Sequence, residues 1–155
     1  MHKVLALVAL CAASAAVGCG GSGSGNTDAA RSYVAALNRA QGRFATTVTR
    51  LSQRVTPTSS AAKDRTTLRA FDGAVSRVVR DLQHIDPPQR VAGLHGRLVA
   101  DLGAFGDELH SATKAIGSHD ASRVRAAQRR LSAATARVSR QVVATIRAIN
   151  RRLKA

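Results

Sequence analysis

Among the side chains able to do chemistry, the histidines come first. His84, His95, His110 and His119 lie in the body of the 155-residue chain. None stands in His-x3-His or His-Glu-x2-His spacing, and no cysteine pair accompanies them, so the sequence offers no zinc or haem ligand set. His84 adjoins a Pro-Pro turn and His119 falls in the next turn, where solvated side chains are expected. His95 and His110 flank an apolar helical stripe, where a hydrogen bond to water or a neighbour suffices. The carboxylates Asp64, Asp72, Asp81, Asp101, Asp107 and Glu108 are scattered. Asp81 stands four residues from Arg77 and Asp101 four from Arg97, the spacing of ordinary helix-surface ion pairs. Tyr33, the single tyrosine, lies on an apolar stripe and is expected in the core. There is no Gly-x-Ser-x-Gly elbow. The glycines from Gly20 to Gly25 lack the strand and the Lys-Ser or Lys-Thr that a phosphate loop needs. The expectation is a chain without catalytic residues, metal or cofactor, hence not an enzyme.

Cys19 is the position with the most specific chemistry. Met1-His2-Lys3 is followed by an apolar run of 14 residues, Val4 to Val17, and then by Gly18-Cys19. A basic start, an apolar core and small residues before a break form a secretory signal. As a helix the run is about 21 Å long, short of a hydrocarbon layer of about 30 Å. Ala16-Val17-Gly18-Cys19 resembles the lipobox of bacterial lipoproteins, with alanine where leucine is commoner. Cys11 is a poorer candidate because Leu10 before it is too large for the small position. The resemblance implies that the Cys19 thiol takes a diacylglycerol, that the chain is cut between Gly18 and Cys19, and that the new amino group can be acylated. The division it implies is a signal peptide over 1–18, a lipidated cysteine with a Gly/Ser linker over 19–27, and a folded domain over 28–155. Gly20 to Asn26 would be a tether with an r.m.s. reach of about 15 Å. The location implied is the extracytoplasmic face of the cell membrane. The tether joined to an Arg/Ala-rich body is similar to lipoproteins of GC-rich Gram-positive bacteria. Once Cys11 is removed and Cys19 acylated, no thiol is left for a disulfide, and packing alone must hold the fold.

Charge is the third chemical feature. The chain has 24 Lys+Arg against 9 Asp+Glu, a formal net charge of +15. Only Lys3, Lys63, Lys114 and Lys154 are lysines, and Glu108 is the one glutamate. A GC-rich genome favours such a composition. The distribution is more telling than the sum. Arg123, Arg125, Arg129, Arg130, Arg137, Arg140, Arg147, Arg151 and Arg152, with Lys154, occupy a segment from Ala121 to Ala155 that has no acidic residue.

The elements that must position these groups read as helices. Aromatics are 3% and there is no Trp, while Ala, Arg, Val and Leu dominate, an alphabet of helix formers. One segment carries Tyr33, Leu37, Ala40, Phe44, Val48, Leu51 and Val55 at steps of three and four. Thr27 or Asp28 is its expected cap, and Thr56-Pro57 its end. After Thr58-Ser59-Ser60, a second segment carries Leu68, Phe71, Val75, Val78, Leu82 and Ile85. Asp86-Pro87-Pro88-Gln89 predicts a break and a new start, with Asp86 as N-cap, Pro87 first in the helix and Gln89 closing a capping box. A third stripe runs through Val91, Leu94, Leu98, Leu102, Phe105, Leu109, Ala112 and Ile116, with Leu98, Leu102 and Phe105 expected deepest. Gly117 is its expected C-terminal cap, and Ser118 or Asp120 the next N-cap. The fourth stripe is Val124, Leu131, Val138, Val142, Ile146, Ile149 and Leu153, and the nine arginines occupy the opposite half of that wheel.

The fold class predicted is all-α, an antiparallel bundle of about four helices. A longer coiled coil of two or three helices, or a dimer, is the alternative. The functional expectation is a membrane-anchored, non-catalytic interaction domain with an unidentified protein partner. The alternative is an electrostatic binder of anionic lipid or cell-wall polymer through the arginine face. Nucleic acid is not expected as a partner, because an exported protein rarely meets it and stacking aromatics are lacking. A continuous arginine face would favour the electrostatic binder, an exposed apolar groove the interaction domain, and a buried polar cluster a ligand site.

Overall fold

The computed structural model describes residues 24–53, 61–118 and 120–154. They form four helices: α1 (Ser24–Ser52), α2 (Ala61–Gln83), α3 (Ala92–Gly117) and α4 (Ala121–Lys154), with a 3-10 turn, Gln89–Val91, leading into α3. No strand occurs among the described residues.

The core is stacked in three layers, and the layers give the topology. At one end Tyr33 of α1, Ile85 beyond α2, Val91 and Leu94 at the start of α3, and Ile149 and Leu153 at the end of α4 pack together. The middle layer joins Ala40, Val78, Leu82, Leu98 and Val142. At the other end Phe44 meets Leu68 and Val75 from early α2, Leu109 and Ala112 from late α3, and Ala127 and Leu131 from early α4. Successive helices therefore run in opposite directions, as an antiparallel up-down bundle. The stripes are consumed within one chain, which replaces the long coiled-coil alternative. The α3–α4 packing is the most extensive, then α2–α3, and α1 rests mainly on α2. Ala40, Ala74, Ala112, Ala127 and Ala134 are buried between the helices.

Several local expectations are corrected. The helix α1 begins at Ser24, ahead of the Thr27/Asp28 cap, so part of the expected linker is helical. Once tertiary packing has met the cost of nucleation, each residue added at an end gains a hydrogen bond for little further cost. Asp28 instead pairs with Arg31 at 3.5 Å. At the Pro-Pro turn the capping box does not form. Pro88 precedes the 3-10 turn with φ −53° and ψ 141°, no side chain caps it, and α3 starts at Ala92. The cause is that a residue before proline is driven out of helical geometry, so Pro87 cannot be the first helical residue while Pro88 follows it. Gly117 stays inside α3. The helix ends on right-handed Ser118, whose hydroxyl donates to the Ala115 carbonyl at 2.7 Å. Asp120 is the cap of α4: its Oδ1 accepts the backbone N–H of Ser122 at 2.8 Å and of Arg123 at 3.1 Å. Leu98 is deeply buried, whereas Leu102 and Phe105 are only half-buried and pack on the rims of the layers. Val55, Thr56-Pro57, Thr58 to Ser60 and His119 lie outside the described residues.

Candidate functional site

The apolar stripe of α4 fixes where its arginines go. Leu131, Val138 and Ile149 are buried, together with Ala127, Ala134, Thr135 and Thr145. At about 100° per residue the nine arginines fall in an arc of about 180° centred opposite that stripe. All nine are exposed: Arg123, Arg125, Arg129, Arg130, Arg137, Arg140, Arg147, Arg151 and Arg152. The structure thus assembles the whole predicted set on one face. Two of the nine have partners. Arg123 reaches Asp120 at 3.2 Å, and Arg152 donates to the Arg90 carbonyl at 3.2 Å. The side chains of the other seven make no hydrogen bond or ion pair among the described residues. The helix is 34 residues long, so the face is a ridge about 50 Å in length. Like charges at i, i+3 and i, i+4 repel, and a ridge of this kind draws anions.

Two carboxylates of α2 are engaged across helix contacts. Asp81 turns from Arg77 to Arg43 of α1, which donates from Nε at 3.2 Å and Nη2 at 2.9 Å. Asp72 lies 3.4 Å from His110 across the α2–α3 contact. No Asp101–Arg97 pair forms, and Asp101 Oδ2 is buried without a hydrogen bond in the protein, as are Thr135 Oγ1 and Arg90 Nε. The i, i+4 spacing therefore misplaced both helix-surface pairs: for Asp81 a longer reach to Arg43 across the bundle wins over the local one, and for Asp101 the side chain is turned into the bundle without a partner on Oδ2.

The buried polar cluster is Tyr33 with His95. Tyr33 is 2% exposed and His95 6%. The rings meet edge to face with centroids 5.6 Å apart. His95 Nε2 lies 3.0 Å from the Leu82 carbonyl, which can only accept, so Nε2 carries the proton. In the neutral ring Nδ1 is then an acceptor, and the Tyr33 hydroxyl donates to it at 3.2 Å. Leu82 also receives the Ile85 N–H at 2.9 Å, so the end of α2 is closed from within and from α3. Burial pushes the Tyr33 hydroxyl up from 10.0 to about 12. Every polar atom of the cluster is used, which leaves no ligand position. The sequence placed Tyr33 in the core but put His95 on a helix flank.

A groove of about 600 Å³ lies between α1 and α2. Its lining is mixed: Ala40, Phe44, Ala74 and Val78 are apolar, and Arg43, Arg50, Arg77 and Asp81 are charged. Among the described residues no group of three His, Cys, Asp or Glu side chains could hold a metal ion. No described helix is long and apolar enough to cross a membrane. Cys19 lies outside the described residues. No family model, curated protein or solved structure matches the chain.

Proposed function

We propose that this chain is an extracytoplasmic lipoprotein, anchored through Cys19, whose bundle is a non-catalytic module that binds anionic lipid or cell-wall polymer through the arginine face of α4. The observation that carries this reading is the continuous ridge of nine exposed arginines, seven of them without an internal partner. A basic residue close to an anionic membrane surface contributes about 1 kcal/mol, so a ridge of this size is sufficient to orient the domain. The lipobox-like Ala16-Val17-Gly18-Cys19 supports the location. The internally satisfied Tyr33–His95 pair favours this reading over a ligand pocket built on that buried cluster.

The test uses the chain from Gly20 onward, made without lipid, against neutral and anionic vesicles and against purified anionic wall polymer. Binding is expected to require negative charge and to weaken as salt rises, because the Debye length shrinks to about 3 Å at 1 M. Replacing Arg129, Arg130, Arg137 and Arg140 by glutamine is expected to reduce it. Equal binding to neutral vesicles, or none at low salt, would make the ridge a solvated surface. For the anchor, Cys19→Ser is expected to yield an unlipidated protein that no longer partitions with membranes. A mutant that is still processed and membrane-bound places the anchor elsewhere.

A further inference from the structure

The three-layer core brings the two ends of the domain together. Tyr33, near the start of α1, packs in the same layer as Ile149 and Leu153, near the end of α4. The first turn of α1 and the last turns of α4 therefore occupy one end of the bundle. That end of α4 carries Arg147, Arg151, Arg152 and Lys154. It is also pinned. Arg90 Nη2 donates to the Leu153 carbonyl at 3.3 Å, and Arg152 Nη1 returns a bond to the Arg90 carbonyl at 3.2 Å. The reciprocal pair ties the final turn of α4 to the start of α3, so the terminal arginines project from a fixed helix rather than a fraying one.

Cys19 precedes Ser24, the first residue of α1, by five positions. Five extended residues span at most about 18 Å, much less than the ridge of about 50 Å. An anchor at Cys19 would hold the Arg147–Arg152 end within reach of the headgroups in every orientation of the bundle. The remaining arginines reach the surface only when the bundle lies on α4.

We infer that the bundle lies lengthwise along the leaflet that holds its own anchor, with the α4 ridge on anionic phospholipid headgroups and the Arg147, Arg151 and Arg152 end as the pivot. This deepens, and rests on, the reading of Cys19 as the lipid anchor. The anchored chain needs no search for its second contact: a short tether raises the effective concentration of headgroups at the pivot, and the ridge then follows as a rigid unit. Headgroups are favoured over wall polymer because the pivot sits beside the anchor. The protein would thus bind its membrane through acyl chain and arginine ridge together, and its orientation would respond to the anionic lipid content of that leaflet.

The test uses the full chain, lipidated in a bacterial envelope and reconstituted in phosphatidylcholine vesicles with and without phosphatidylglycerol. Single fluorophores are placed by Ala133→Cys and Ala144→Cys, exposed positions at the centre of the arginine arc, and by Thr66→Cys, exposed on α2. Quenching by a nitroxide on the lipid headgroup is the readout. Both α4 positions are expected to be quenched on anionic vesicles and released by salt, with Thr66→Cys unquenched throughout. Removing each arginine is expected to weaken docking about fivefold, so Arg147→Gln, Arg151→Gln and Arg152→Gln together weaken it on the order of a hundredfold. Quenching that is equal on neutral vesicles, or confined to Ala144→Cys, overturns the lengthwise docking. So does quenching lost only when purified wall polymer is added in competition at low salt. An unlipidated preparation from the same envelope, shown by mass measurement of the intact chain, overturns the anchor reading itself. The two failures are therefore distinguishable.

Discussion

Tyr33 and His95 show how a single pair can set measurable behaviour. The hydroxyl is a donor in a nearly dry layer, and its ionisation would leave a buried anion beside an imidazole acceptor. Because Tyr33 is the only tyrosine, its phenolate absorbance reports this one site. The folded chain is expected to titrate at about 12, against the ordinary 10.0, and the unfolded chain at the ordinary value. Folded pKa above unfolded means that the unfolded state loses its proton first as pH rises. Stability from this group is therefore full below about 10 and is lost as pH climbs towards about 12. A titration that gives the same midpoint before and after denaturation contradicts the buried hydroxyl. Tyr33→Phe keeps the ring but strips His95 Nδ1 of its donor, and is expected to cost about 1–3 kcal/mol in denaturant unfolding. Tyr33 was legible in the sequence because an apolar stripe marks its position. His95 was not, since its partners lie 13 and 62 residues away, and periodicity carries no information on such pairings.

Elements were more legible than their ends. All four helices follow the apolar stripes, since burying a face is the dominant favourable term and the stripes record it directly. Their ends depend on competition among a few backbone bonds, and there Pro88 overrode Pro87 and Ser118 took the place expected for Gly117. Asp120 was among the foreseen caps. Its bonds to the Ser122 hydroxyl and to the backbone of Arg123 and Ser122 hold its carboxyl below the ordinary 3.8. Asp120→Ala is expected to lower the melting temperature and loosen amide protection in the first turn of α4, with Asp120→Asn close to wild type. This contribution is present above the ordinary carboxylate value and fades as pH falls through the lowered one. In the core, Leu98→Ala is expected to cost about 2–5 kcal/mol, and Leu102→Ala less because that side chain is only half-buried. Gly73 and Gly103 sit inside helices with no atom within 4 Å of where a Cβ would stand. Gly73→Ala and Gly103→Ala are each expected to raise stability by about 0.5–1 kcal/mol. A loss at either position would mean that the helices approach more closely there.

At the scale of the whole molecule, charge and core pull against each other. Of the chain's formal +15, +10 lies on α4 alone and opposes compaction, and only Arg123 among its nine arginines has a carboxylate to lean on. Thermal unfolding of the unlipidated chain in dilute buffer is expected to shift upward on adding salt to about 0.15 M, where the Debye length is about 8 Å. A midpoint that falls or stays still would show that the ridge is already neutralised. The exposure of the ridge was legible in sequence because one wheel holds both the apolar arc and the arginines. The meeting of the start of α1 with the end of α4 was not, because it depends on the number and sense of all four helices. That meeting has a mechanical consequence. A load applied between Ser24 and Lys154 pulls from one end of the bundle, so α1, which rests mainly on α2, peels away turn by turn. Moving the first handle to Ser52 puts the load along the axis, and the same helix must then shear along its whole length. Single-molecule pulling is expected to show a low, gradual rupture in the first geometry and a higher, abrupt one in the second. A pull on the amino end of α1 would thus strip that helix from the domain well before α3 and α4 come apart.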